Sequence, residues 1–253
     1  MKDYQFDHEV AMTEAFAEFV RSKPVPTTKH AMIPALDAPD FQSSGKFVDA
    51  NAGREWRYMQ TEYIHDARPL AYFLANPSVV EREKFVQQWG ALLEWLHRNR
   101  IYHGDLSPTN VLLAVKDGME RWFVIDVARM INLDEDFFNA DAADLMDSIE
   151  LPEELSENRL FSSFEPNTPV DLLERLLTFG DLVLCGRHLR KLNAHGFNAY
   201  GEFYVRGYRN FTLFETANEF SNEIRQWFEV KPRPPAYYTW GATVAMKIRW
   251  SVP

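Results

Sequence analysis

Cysteine is nearly absent from this chain: Cys185 is the only one in 253 residues. An internal disulfide is therefore excluded, as is a cysteine-built metal knuckle, and Cys185 is expected as a small buried hydrophobe in a reducing compartment. Long apolar runs are missing too. No stretch approaches the roughly eighteen residues that cross a bilayer, and the opening MKDYQFDHEV lacks the apolar centre of a signal peptide. The expectation is a cytoplasmic protein with no membrane span. Glycine is scarce at the start, with none before Gly45. Positive charge is missing from one segment: between Met130 and Asn158 there are ten acidic residues and no Lys or Arg, equal to the net charge of −10 of the whole chain. This stretch reads as a solvated acidic face or as a surface that attracts a basic partner. Either way, broad binding to nucleic acid is not expected.

What is present is an ordinary folding composition, 46% hydrophobic and 25% charged, enough for one large core or two modest lobes. Met12, Phe16, Phe19 and Val20 recur at helical spacing, which predicts an amphipathic helix over Asp7 to Ser22, ended by Lys23-Pro24. Pro24, Pro26 and Pro34 enclose an extended stretch. A Ser43 to Gly45 turn and an Asn51-Ala52-Gly53 corner are expected to divide the next segment into short strands, of which Arg57 to Ile64 alternates best. Phe85, Val86, Trp89, Leu92, Leu93 and Leu96 mark a long helix whose basic last turn, His97 to Arg100, suits the helix dipole. Trp89 and Trp95 are expected in the core. The Pro-rich Lys231 to Tyr238 reads as an extended surface connection.

The informative stretch is HGDLSPTN, His103 to Asn110, followed by VLLAVKDGMERWFVID. The latter has the form of a hairpin around Asp117-Gly118, with Asp126 at the end of its second strand. Asp105 and Asn110 thus precede one strand and Asp126 closes its neighbour, so three oxygen-bearing side chains are expected at one end of a ribbon. Hard cations such as Mg²⁺ favour carboxylate and amide oxygens and commonly share them with phosphate, which makes Asn110 and Asp126 a plausible metal pair. Asp105 remains to orient a hydroxyl nucleophile. His103 is expected to brace the loop.

The Asp105, Asn110, Asp126 spacing resembles the protein-kinase-like superfamily. Within it, HGDLSPTN with FVIDVARM looks most like the atypical branch that includes the RIO kinases and the lipopolysaccharide kinases. The resemblance implies an α+β, two-lobed fold, with residues 1–66 as a reduced N-terminal lobe and residues 67–253 as a mainly helical C-terminal lobe with the catalytic loop and a C-terminal extension. It implies a phosphotransferase that uses ATP and Mg²⁺ on a hydroxyl of a protein, sugar or lipid headgroup. Asp105, Asn110 and Asp126 would be the catalytic set, the segment Glu62 to Ile64 would meet adenine through its backbone, and Asp144 would be the buried carboxylate bracing the catalytic loop.

This chain also departs from the pattern. Gly104 stands where regulated protein kinases have Arg, so control by a phosphorylated activation loop lacks its partner. Asp126 is followed by Val-Ala, not Phe-Gly, and should be comparatively fixed. The phosphate-cradling glycines expected at the start are missing. Lys2 and Glu9 could form the phosphate-contacting lysine and its glutamate partner, or Lys2 could be a loose terminal lysine and Glu9 a surface residue. Ala199 to Val205 and Val244 to Lys247 resemble a degenerate phosphate loop and a lysine-bearing strand, though packing strands suit them as well. A partner chain could complete the nucleotide site. The other readings are a pseudokinase scaffold that keeps the fold without phosphate handling, and a small-molecule kinase of the aminoglycoside phosphotransferase type.

Overall fold

The computed structural model describes residues 3–23, 35–49, 53–75, 81–132 and 169–193, together with 204, 207 and 208. The first helix, α1, runs Asp3–Ser22, four residues earlier than the apolar periodicity required. Met12, Phe16 and Val20 are buried on one face, as their spacing dictates, and Thr13 caps back onto the carbonyl of Glu9 at 2.7 Å. Pro24, Pro26 and Pro34 lie outside the described residues, as do Lys2, Asp144, the acidic run beyond Asn132, Lys231 to Tyr238 and the two candidate C-terminal strands.

Strand β1 (Ala35–Asp37) is followed by a long hairpin, β2 (Phe41–Asp49) and β3 (Arg54–Thr61), closed at the positive-φ Gly53. Here one expectation fails. Ser43 to Gly45 is not a turn but the middle of β2, because Gly45 pairs with Tyr58 and leaves room for its ring: a Cβ on Gly45 would meet that ring at 3.0 Å. The glycine serves a cross-strand contact, and the only irregularity is a register shift between Phe41 and Ser43. Strand β3 also ends three residues before Ile64, so Glu62 to Ile64 is extended coil beyond its end.

Strand β4 (Arg68–Pro69) leads into the short α2 (Leu70–Ala75) and then α3 (Arg82–Arg98). Helix α3 is buried almost all round, including Trp89 and Trp95, with His97 and Arg98 in its last turn. Gly90 permits this enclosure, since a Cβ there would lie 2.2 Å from the carbonyl oxygen of Tyr204. Strand β5 (Ile101–Tyr102) precedes the HGDLSPTN loop, and β6 (Val111–Lys116) and β7 (Met119–Val124) form the expected hairpin. Asp117 and Gly118 both take positive φ, 54° and 75°, the conformation that suits a two-residue hairpin turn.

The main sheet has the order β1-β7-β6-β4, with β1 parallel to β7 and the other pairs antiparallel. A stretch from the first 66 residues therefore joins the sheet that carries the loop. After β7 come the 3-10 turn Val127–Arg129 and β8 (Ile131–Asn132), which pairs antiparallel with β5 and ties the two ends of the loop region together. Helix α1 packs on that 3-10 turn. The last described helix, α4 (Pro169–Asn193), adds Leu182, Cys185 and Leu189 to the core. The architecture is α+β. Among the described residues no helix is long and apolar enough to cross a membrane.

Candidate active site

The loop between β5 and β6 folds on itself before it meets anything else. Ser107 N–H bonds the Asp105 carbonyl at 2.7 Å and Asn110 N–H bonds the Ser107 carbonyl at 2.9 Å, giving two consecutive tight turns. Leu106 is buried at the turn, and its carbonyl accepts from Trp89 Nε1 at 3.1 Å. Pro108 anchors the far side by accepting from Ala71 N–H at 2.9 Å. These backbone groups, several of them buried, thus have hydrogen-bond partners inside the protein.

His103 is fully buried and ties the loop to the hairpin. Its Nε2 lies 3.2 Å from the Ile125 carbonyl, which can only accept, so Nε2 carries the hydrogen and Nδ1 accepts from Asp105 N–H at 3.3 Å. His103 is a strut, with both ring nitrogens engaged in backbone contacts.

These contacts bring Asp105, Asn110 and Asp126 together. The Asn110 side-chain amide donates to the Asp105 carbonyl at 2.9 Å and reaches Asp126 Oδ2 at 3.4 Å, while Ile125 N–H bonds the Asn110 carbonyl at 3.0 Å. With Nδ2 so committed, the amide oxygen is the atom of Asn110 that could hold a cation. Asp126 is exposed and left-handed, φ 60° and ψ 59°. A non-glycine residue there costs on the order of 1 kcal/mol, and such strain concentrates where a side chain must be aimed.

Glu9, on α1, is half-buried, and its carboxyl is pushed up by burial first and by the Asp126 charge second. Glu9 is thus close enough to Asp126 to feel its charge. Among the described residues no group of three or more His, Cys, Asp or Glu could hold a metal by itself. An amide oxygen and one or two carboxylates fit a hard cation such as Mg²⁺ that takes its other ligands from phosphate or water.

Asp105 itself is treated differently. Its Oδ1 lies 3.6 Å from His188 Nε2 and its Oδ2 lies 3.8 Å from Arg129 Nη1. The His188 imidazole, and after it the Arg129 guanidinium, hold the carboxyl below the ordinary carboxylate range against burial, which acts the other way. The side chain is ionised, aimed and partly open to solvent.

Glu62 follows β3 and reaches the β6–β7 hairpin. Its N–H bonds the Asp40 carbonyl at 2.7 Å and its carboxylate takes Lys116 Nζ at 3.2 and 3.4 Å, linking the coil after β3 to the β6–β7 hairpin. Ile64, two residues on, is half-buried.

Asp144 lies outside the described residues, and among the described residues a buried carboxylate that meets the loop is Asp181. Asp181 of α4, 1% exposed, accepts the Gly104 N–H at 2.8 Å through Oδ1 and faces His97 Nε2 at 3.3 Å through Oδ2. His97 Nδ1 in turn meets the Tyr208 hydroxyl at 2.9 Å. Asp181 and His188 escaped sequence reasoning because nothing local marks them. The available signal was two polar residues seven apart on the apolar stripe of a helix, Asp181 and His188 beside Leu182, Cys185 and Leu189, where burial needs a partner.

Comparison with known proteins gives related answers. Residues 49–147 match the family model of the lipopolysaccharide kinase (Kdo/WaaP) family. The chain is 32% identical over 80 residues to a probable serine/threonine-protein kinase MARK-C of Dictyostelium discoideum, covering 31% of this chain and 10% of that protein. It is 26% identical over 100 residues to protein kinase kin1 of Schizosaccharomyces pombe, covering 39% of this chain and 11% of that protein. The chain thus spans about a tenth of the length of these curated relatives. A solved structure of WaaP in complex with acyl carrier protein aligns over 83% of this chain and 69% of that one, at 14% identity and a TM-score of 0.39.

Proposed function

We propose that this chain, which resembles the lipopolysaccharide kinase (Kdo/WaaP) family over residues 49–147, is an ATP- and Mg²⁺-dependent phosphotransferase acting on a hydroxyl acceptor. The observation that carries this reading is the proximity of Asp105, Asn110 and Asp126, from two loops: the Asn110 side-chain amide donates to the Asp105 main-chain carbonyl at 2.9 Å and reaches the Asp126 carboxylate at 3.4 Å. Asp105 orients the acceptor hydroxyl. Asn110 and Asp126 hold Mg²⁺, which when bound with ATP supplies charge neutralisation of the phosphates. Glu9, near enough to Asp126 to feel its charge, adds a carboxylate on α1 that favours a cation nearby; Lys2, seven residues before it, is the phosphate contact in this reading.

Adenine lies against Glu62 to Ile64. Because the Glu62 N–H is committed to Asp40, that residue meets the base through its carbonyl, and the donor comes from the Ile64 backbone. Residues 1–66 and 67–253 act as the two lobes that enclose the nucleotide, with α1 resting on the 3-10 turn after Asp126. The acceptor hydroxyl belongs to a sugar, lipid headgroup or protein.

The test is thermal unfolding with Mg²⁺ and ATP. At a hundredfold excess over Kd, binding adds roughly 2.7 kcal/mol. For a chain of this size that is roughly 5–10 °C in Tm. Asp126→Asn should lose most of the shift while keeping the unliganded Tm within a few degrees. No shift in the wild type would sink the reading and favour a scaffold that keeps the fold without phosphate handling.

A further inference from the structure

The hairpin β2–β3 stands as a sheet of its own. Among the described residues β3 pairs with β2 and with no other strand, so its second edge carries main-chain groups with no ladder partner. A two-stranded ribbon is marginal in water, and an open edge is a template for another strand. Such edges are commonly guarded by lysine, proline, a glycine kink or a bulge. Strand β2 has three of these: Lys46, Gly45 and the register shift between Phe41 and Ser43. Strand β3 contains no lysine, proline or glycine, and its register against β2 runs unbroken from Arg54 to Gln60.

The two faces of the hairpin differ. Arg57 lies against α1, where it pairs with Asp7 and stands over the Phe6 ring. Neighbours along a strand point to opposite faces, so Trp56 and Tyr58 turn away from α1, beside Phe47 of β2. Trp56 is 49% exposed, Tyr58 41% and Phe47 51%. Aromatic rings beside an unguarded edge are the anchors that interfaces favour.

We infer that this edge takes the same edge of a second copy of the chain, the two β3 strands pairing antiparallel about a two-fold axis at Tyr58. The residues of β3 select both occupant and register. Opposed residues in an antiparallel pair share a face, so under the two-fold each residue meets its own counterpart or one an even number of positions away. Two such registers keep most of the strand paired. One centres on Arg57 and sets that guanidinium against its own copy, a like-charge contact. The other centres on Tyr58: Arg57 meets Met59, Glu55 meets Thr61, Trp56 meets Gln60, and no charge opposes its like. Glu62, in the extended coil just past the strand, comes opposite Arg54, a carboxylate against a cation at both ends of the ladder. Tyr58 meets its counterpart, with a Trp56 ring diagonal on either side. The two α1 helices then share one face of a continuous four-stranded sheet.

Charge favours a like partner over a strongly acidic or basic one. Strands β2 and β3 carry Lys46, Arg54 and Arg57 against Asp49 and Glu55, close to balance in a chain of net charge −10. A charged peptide gains little here, whereas two copies meet at this place with little repulsion.

The test uses the full chain with a thiol at the axis. Cys185 is the sole cysteine and is buried, so Tyr58→Cys adds the one accessible thiol. Across the two-fold the paired Cα atoms lie about 4.5–5.5 Å apart, within disulfide reach. Gln60→Cys faces Trp56 instead, and its two thiols stand roughly 14 Å apart, beyond reach. At micromolar protein with a mild oxidant, Tyr58→Cys should form a covalent dimer at least about tenfold faster than Gln60→Cys. Equal rates, or no covalent dimer from either, overturn the inference.

Sedimentation velocity gives a second readout, and neither needs catalysis. Wild type should associate reversibly. Tyr58→Lys and Tyr58→Glu, each checked for fold by circular dichroism, should each associate at least about tenfold more weakly, because like charges meet at the axis. An equimolar mixture of the two should recover the loss. A mixture no better than either variant alone, or a wild type monomeric up to about 0.1 mM, overturns the inference. Binding of a monomeric wild type to phosphatidylcholine vesicles, lost in Trp56→Ser, would show that a bilayer covers this face instead and would overturn it too.

Discussion

Replacing Asp181 by Ala should cost more stability than any surface change in this chain, and the amount can be worked from its contacts. The carboxylate is 1% exposed and accepts from two buried donors, Gly104 N–H at 2.8 Å and His97 Nε2 at 3.3 Å. Truncation leaves both without an acceptor in a place water does not reach, at about 1–3 kcal/mol each. The sum, about 2–6 kcal/mol, brackets the about 3–5 kcal/mol that removing one member of a buried charged pair generally costs, and the narrower range sets the expected fall in Tm. At roughly 2–4 °C per kcal/mol for a chain of this size, Tm should fall by about 6–20 °C. Asp181→Asn keeps one acceptor oxygen for Gly104 and should lose about half as much. Urea unfolding gives the global number, and amide exchange at Gly104 gives the local one, which should accelerate in Asp181→Ala. A loss under about 1 kcal/mol, with Gly104 exchange unchanged, would refute the claim that α4 holds the loop through this carboxylate.

Two further outcomes follow from burial and charge. Cys185 is the sole thiol, is 1% exposed, and burial pushes its pKa far up, so it should resist alkylation at about pH 8 in the native state and react at the rate of opening of α4. Labelling as fast as free cysteine would show the helix is not packed as described. Asp105 has a depressed folded-state pKa, so its pairing with His188 and Arg129 contributes stability that is present above the unfolded value and lost as pH falls through the folded one. The urea midpoint of wild type relative to Asp105→Asn should therefore be greatest near pH 6 and shrink toward about pH 3. A difference that grows on acidification contradicts the assignment.

Much of the loop was legible because its signals are local. Asp117-Gly118 names its own turn, and the apolar runs on either side name their strands, so the neighbourhood of Asn110 and Asp126 could be read before any fold was known. The α3 helix was legible for the same reason, its apolar positions recurring through Leu96. Ser43 to Gly45 misled because a glycine that makes room for a ring across the strand looks, in one dimension, like a glycine that makes a turn. That the Glu62 N–H is taken by the Asp40 carbonyl, twenty-two residues earlier, is a contact no spacing within the segment could announce.

The sequence by itself determined the α3 helix and the β6–β7 hairpin that sets Asn110 and Asp126 at one end, because turn chemistry and hydrophobic period act over a few residues. Tertiary structure alone decided which buried carboxylate braces the loop and which side chains surround Asp105. Asp181 and His188 lie far along the chain from residues 104 and 105, and only the packing of α4 against the loop brings them within 2.8 and 3.6 Å of their partners. A contact of that kind is set by how two apolar faces fit, and the polar residues that ride on those faces acquire their roles from the fit.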